Sequence, residues 1–278
     1  MKNKMIKILF IIGIIATLSV LLYPFVADHV NSRNQSRVVS YYFEDIAEMD
    51  DSDRQAMLEA AHEYNINLLY KTNRFVFTDE DTLIYKKQLD AGRGIMGILK
   101  IDKINVNLPI YHGTDEGVLQ VGAGHLRGTS LPVGGIGTHA FITGHRGLPS
   151  STLLSNLDKM VKGDIFIIYV MGETLTYEVD DIQTVIPEDV DALNIYPDKD
   201  YCTLVTCTPY GINTHRLLVR GHRVDGVAES QSEMSGTGSK RPEKIVVIGI
   251  FMIPVLPILL IIAIIKCVKI YRKGKYRW

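Results

Sequence analysis

Apolar and polar positions are unevenly spread along this chain: two uncharged apolar runs lie near its ends, with shorter alternating segments between them. The first run, Ile8 to Val26, follows Lys2, Lys4 and Lys7. At about 1.5 Å per residue, a helix of this length crosses a bilayer core of roughly 30 Å. Small residues are sparse around Ala27, so no small-x-small cleavage site is evident; the run reads as an anchor, with a signal peptide as the alternative. The second run, Ile245 to Ile265, precedes Lys266, Lys269, Arg272, Lys273, Lys275 and Arg277. Basic residues before the first run and after the second put both chain ends in the cytoplasm and everything between them outside. Pro254 and Pro257 do not overturn this, because neighbours in a membrane can satisfy the carbonyls that a proline frees.

Between the runs the periodicity changes twice. Asp50 to Asp53 supplies capping residues, and Gln55 to Tyr64 is rich in helix formers with apolar Met57, Leu58, Ala61 and Tyr64, so one or two short helices are expected. Lys71 to Gly97 is weaker, with Phe75, Val76 and Phe77 and then Leu83, Ile84 and Tyr85 in polar surroundings, and reads as a loop over the domain. From Gly97 the texture is β-like: Ile98 to Val106, Ala140 to Thr143, Ile165 to Val170, Leu175 to Val185, Thr203 to Thr206 and Leu217 to Gly221, separated by Gly, Pro, Asn and Asp. Many short strands with tight turns predict a closed or nearly closed barrel. Asp225 to Glu243 has almost no large apolar residues and reads as a flexible tether. The expected divisions are an anchor or signal over 1–27, a helical region with a possible lid over 28–96, a catalytic barrel over 97–224, a linker over 225–243, a membrane helix over 244–266 and a basic cytoplasmic tail over 267–278.

A net charge of −1 and an ordinary apolar fraction suit a folded core and argue against nucleic-acid binding. The glycines around Gly122 to Gly128 and Gly134 to Gly137 lack the strand-to-helix setting of a phosphate loop, so no nucleotide is expected. Of the three cysteines, Cys267 falls at the cytoplasmic end of the second run. Cys202 and Cys207 are five residues apart on one expected strand and face opposite ways, which argues against a disulfide between them. A free thiol in an oxidising space calls for a reason, and catalysis is a better one than packing.

Cys207 ends an apolar run and is followed by Pro209 and Gly211, which break the strand and leave the thiol accessible. The chain returns through Asn213 to Arg216, and a hairpin would bring that arginine beside the cysteine, where its guanidinium suits an oxyanion. A proton donor for the leaving group is normally a histidine. Among eight histidines, His145 stands where a short apolar segment opens into a turn and is the first choice; His112, His125, His139, His215 and His222 read as structural hydrogen-bonders. Taken singly, Cys207 could equally be a packing cysteine, and Arg216 a surface charge. The histidines lack paired ligand spacing, so a metal site with Cys207 ranks last and no metal is expected.

The stretch Thr203-Leu-Val-Thr-Cys-Thr-Pro-Tyr-Gly-Ile-Asn-Thr-His-Arg-Leu-Leu-Val-Arg-Gly-His222 resembles the active-site segment of class C, or pilin-specific, sortases. Thr143-Gly-His-Arg-Gly-Leu-Pro149 resembles their histidine segment, and Leu108 to Thr114 and Gly124 to Pro132 their early barrel. The resemblance covers 97–224. It implies a mainly β fold, an eight-stranded sortase-type β-barrel with short N-terminal helices flanked by two transmembrane helices, in the cell membrane of a Gram-positive bacterium. It implies Cys207 as nucleophile, His145 as general acid and base, and Arg216 as oxyanion stabiliser. The implied substrates are pilin subunits, one bearing a Leu-Pro-x-Thr-Gly-like sorting signal and another an acceptor lysine, joined without a cofactor. A sortase that attaches proteins to peptidoglycan and an inert membrane-tethered scaffold are the alternatives. Many class C sortases carry an Asp-Pro-aromatic lid; here Thr72 to Asp81 has no proline, leaving Phe75 and Phe77 as lid candidates.

Overall fold

Neither Gly nor Pro interrupts Ala27 to Glu48. The computed structural model, which describes residues 2–225, accordingly carries the first apolar run straight on into one 47-residue helix, α1 (Lys2–Glu48), with Pro24 inside it. The membrane run over 1–27 and the start of the helical region after it, expected as separate divisions, are thus one continuous helix. Phe10–Glu48 contains a stretch long and apolar enough to cross a membrane. The second apolar run, and the expected tether beyond Asp225, lie outside the described residues. The unit that holds the barrel begins at Asn31. In that unit α1 buries Val39, Tyr42 and Ile46, spaced three and four apart on one face. The Tyr42 hydroxyl accepts from the Met171 amide at 2.9 Å and donates to the Met96 carbonyl at 3.4 Å, tying the helix to the barrel.

Asp50 caps α2 (Asp51–Leu69), as its sequence signals. This helix buries Leu58, Ala61, Asn65 and Leu68, and the Asn65 side chain clasps Leu131, accepting from its amide at 2.7 Å and donating to its carbonyl at 3.1 Å. The expected loop between Lys71 and Gly97 instead contains a helix, α3 (Asp79–Lys87), opened by a capping box between Thr78 and Asp81. Its single buried residue, Tyr85, leaves too faint an apolar stripe for periodicity to register.

Eight strands follow: β1 (Ile95–Ile101), β2 (Val106–His112), β3 (Ala123–His125), β4 (Thr138–Thr143), β5 (Ile165–Val170), β6 (Glu173–Val185), β7 (Asp200–Thr208) and β8 (His215–Arg223). They close into a barrel in the order β1-β2-β3-β4-β7-β8-β6-β5. The expected strand Ile98 to Val106 is in fact the end of β1, a 3-10 turn over Asp102–Ile104 and the first residue of β2; Asn105 takes the left-handed conformation that the turn requires. β2 past Val106 and β3 are missing from the segments that the β-like texture marks and fall in the stretches that resemble the early barrel; the pair is parallel, joined through the short helix α4 (Glu116–Leu119). The other parallel pair, β4 with β7, brings together segments about sixty residues apart and is the one that builds the site.

Candidate active site

β7 lies between β4 and β8. In the antiparallel β7–β8 register Cys207 is directly opposite Arg216, so both side chains leave the same face with Cβ atoms roughly 5 Å apart. On the other side, Thr143 of β4 pairs with Val205. Past the end of β4 the two chains stay together: the Gly144 amide donates to the Val205 carbonyl at 3.0 Å, and the Thr206 hydroxyl donates to the Gly144 carbonyl at 2.8 Å. His145 therefore comes level with Cys207. Alternation turns Thr206 inward, where it is buried, and Cys207 outward, where it is half-buried. The three predicted residues thus sit at one barrel end on three neighbouring segments, the nucleophile candidate in the middle.

The histidine turn is held firmly. A Cβ on Gly144 would fall 2.8 Å from Cγ of Leu154, so the backbone lies tight against that side chain. The Leu154 amide donates to the His145 carbonyl at 3.3 Å. Arg146, its side chain only 9 % exposed, donates to Asp158 at 2.6 Å and to the Thr208 hydroxyl at 3.3 Å, tying the turn to the end of the cysteine strand. On the other flank, one nitrogen of Arg216 donates to the carbonyls of Asn213 (3.3 Å) and His215 (3.2 Å). Among the described residues Arg216 forms no ion pair with a carboxylate, only these bonds to backbone carbonyls.

The Nε2 of His145 lies 3.3 Å from the Glu116 carboxylate, and the other oxygen of that carboxylate accepts from the Gln120 amide at 3.0 Å. Glu116 escaped sequence reasoning because 29 residues separate it from His145. The available signal was Asp115 as a helix start with Glu116 and Gln120 four apart, but that says where a helix begins, not what it faces.

The remaining histidines are mostly structural. His112 bonds the Gln88 carbonyl at 2.7 Å; His125 bonds the Tyr85 hydroxyl at 3.0 Å and the Ser130 carbonyl at 2.8 Å; His139 bonds the Asn194 carbonyl at 2.7 Å and the Thr203 hydroxyl at 2.8 Å. Burial pushes both His125 and His139 down to about 4. His215 engages its neighbour Thr214, and Nδ1 of His222 is buried without a hydrogen-bond partner among the described residues. The second strand cysteine, Cys202, is fully buried, and burial followed by the nearby Asp200 charge raises its thiol well above the ordinary value. The expected division of the two cysteines into an inward and an outward one is what the strand produces.

The two lid candidates sit on the segment between α2 and α3. Arg127 stacks 3.7 Å from the centroid of the Phe77 ring, and the Phe75 ring covers Gly128, where a Cβ would fall 2.6 Å from it. Arg74 stacks on Phe75 and donates to the Leu193 carbonyl at 2.6 Å. The segment thereby bridges the β3–β4 connection and the β6–β7 connection, residues 186–199, which leaves β6 at Val185, the residue paired with Arg216. No Asp-Pro-aromatic element takes part.

A family profile described as the Sortase domain matches residues 99–224. The crystal structure of sortase C1 from Streptococcus agalactiae is 50% identical, with a TM-score of 0.66, covering 68% of this chain and 99% of that one. Streptococcus pneumoniae sortase C, whose structure is described as giving insights into catalysis and pilin substrate specificity, is 42% identical with a TM-score of 0.62, covering 70% of this chain and 100% of that one. Among curated sequences, sortase D of Bacillus subtilis is 30% identical over 131 residues, 46% of this chain and 63% of that protein, so the match spans less than two thirds of that relative.

Proposed function

Because this chain belongs to the sortase family of cysteine transpeptidases, with class C enzymes among its structural neighbours, we propose that it polymerises pilins, with Cys207 as nucleophile, His145 as general acid and base, and Arg216 as oxyanion stabiliser. The observation that carries this reading is the register: Cys207 opposite Arg216 on one side, and on the other His145 held beside it by the Gly144–Val205 and Thr206–Gly144 bonds.

In the proposed cycle the Cys207 thiolate attacks the threonine carbonyl of a Leu-Pro-x-Thr-Gly-like signal. Negative charge moves to the carbonyl oxygen, toward the free donors of Arg216. Collapse breaks the Thr–Gly bond; the imidazolium of His145 gives its proton to the departing glycine amine, and a thioester remains. A lysine ε-amine of a second pilin then attacks the thioester, His145 takes the proton, and the thiolate leaves with an isopeptide bond formed. No group outside the chain and its two substrates is needed. The three side chains stand on strands and a clamped turn, so the reacting geometry is set before substrate arrives.

Access is proposed to be governed by the segment that carries Phe75 and Phe77, fixed through Arg127 and Gly128. The positive-inside pattern supports an extracytoplasmic catalytic domain with both chain ends in the cytoplasm. Acceptor choice tests the pilin assignment. The full chain in detergent is given the signal peptide with equal amounts of a pilin-derived lysine peptide and a peptidoglycan stem peptide. The expected product is the lysine isopeptide in clear excess; predominant transfer to the stem amine would move the assignment to wall anchoring.

A further inference from the structure

The carboxylate of Glu116 is in hydrogen-bonding reach of the site histidine, yet it belongs to a different element, the one-turn helix α4. Its two oxygens have separate tasks: one accepts from the Gln120 side chain at 3.0 Å, the other faces Nε2 of His145 at 3.3 Å. Gln120 is four residues on from Glu116, immediately past α4, so the carboxylate is aimed by its own chain before the imidazole engages it. The carboxyl is held below the ordinary glutamate value, first by the Gln120 amide and then by the charge and hydrogen bond of His145. Of the cationic side chains beside the turn, Arg146 is paired with Asp158, and Arg216 stands on β8 opposite Cys207.

We propose that Glu116 is a positioning residue for His145: its carboxylate accepts from Nε2–H, fixes the ring, and leaves Nδ1 as the nitrogen that exchanges protons with the reacting groups. The inference rests on the transpeptidase reading above and specifies which ring nitrogen serves it. A histidine ring nitrogen is chosen by the hydrogen bond that the other one makes. In acylation the imidazolium releases the Nδ1 proton to the glycine amine and keeps Nε2–H on Glu116. In deacylation the lysine amine returns a proton to Nδ1. The Glu116 carboxylate is unprotonated throughout, so the cycle closes with no net proton on it.

Glu116 is 69% exposed and His145 24%. Water therefore competes for the interaction, and the expected effect is graded rather than absolute. The test uses the full chain in detergent with ¹⁵N-labelled histidine, in the Cys207→Ala background so that no thiolate holds a second proton on the ring. At about pH 9, above the ordinary imidazole range, His145, assigned by difference from a His145→Gln variant, is expected as the Nε2–H tautomer. Adding Glu116→Ala is expected to give a mixture of both tautomers, whereas Glu116→Gln, which keeps an acceptor oxygen, retains the preference. With Cys207 present, Glu116→Ala is expected to lower kcat about three- to tenfold with KM changed less than about twofold, on the scale of an exposed charge-assisted bond. An unchanged tautomer distribution in Glu116→Ala overturns the proposal, including where kcat falls. Loss of the tautomer preference together with no acyl adduct in the parent enzyme would uphold the Glu116–His145 coupling and remove the transpeptidase reading instead.

Discussion

Cys202 and Cys207 stand on one strand and meet opposite environments. The first points into the barrel, its thiol raised by burial; the second points outward, opposite a guanidinium. That contrast was legible from an odd spacing on a strand, as was the pairing of Cys207 with Arg216 from a short return loop. The arginine is also where a conservative change is expected to be costly. Lysine keeps the charge but not the planar set of donors. Arg216→Lys is therefore expected to lower kcat/KM for peptide cleavage about a hundredfold, the scale of a lost oxyanion donor; activity within about twofold of the parent would remove the oxyanion role. His125 and His139 bear on stability instead. Both are buried and held down to about 4, whereas in the unfolded chain each titrates near the ordinary value of about 6.5. The unfolded state thus binds protons first as pH falls, so stability present above about 6.5 is lost on the way down to about 4, by roughly 3 kcal/mol per ring at most. Burial raises the Asp200 carboxyl, which acts in the opposite sense at the acid end of that window. The thermal midpoint is expected to drop between about pH 7 and pH 5; a flat profile there would contradict this account of the two rings. Glu116 was not legible, because no local pattern records which distant side chain a one-turn helix will face.

At the scale of elements, sequence reading succeeded where a pattern is strong and local. The Asp50 cap and the α2 face through Leu58 and Ala61 follow from capping and periodicity, β5 from an unbroken apolar run and β6 from alternation. It failed where tertiary packing supplies the stability. α3 rests on one capping box and a single buried tyrosine, β3 is three residues long and is defined by its two neighbours, and α1 runs on simply because nothing stops it. The segment with Phe75 and Phe77 is a third case. Its aromatic content was plain, but its partners, Arg127 and Gly128, are brought to it by the barrel. Replacing both phenylalanines with alanine removes the stacking on Arg127 and the cover over Gly128, so Cys207 is expected to react several-fold faster with a thiol reagent. An unchanged labelling rate would dismiss the segment as a lid.

For the molecule as a whole, the closed barrel was readable in outline from many short strands, but its order was not. Two parallel pairings, β2 with β3 and β4 with β7, depend on crossovers that alternation does not encode. The second of these carries the histidine to the cysteine, so the site is a product of topology as much as of motif. The first apolar run is part of a helix that is long and apolar enough to cross a membrane. The central claim is that Cys207, so placed, forms an acyl-enzyme with a sorting-signal peptide. The direct measurement is mass spectrometry of the intact full chain in detergent after incubation with a Leu-Pro-x-Thr-Gly peptide, comparing the parent enzyme with Cys207→Ala. The expected result is a mass increase equal to the acyl fragment ending at threonine, present in the parent enzyme and absent in the variant. A folded parent enzyme whose Cys207 reacts with a thiol reagent yet forms no such adduct would contradict the account.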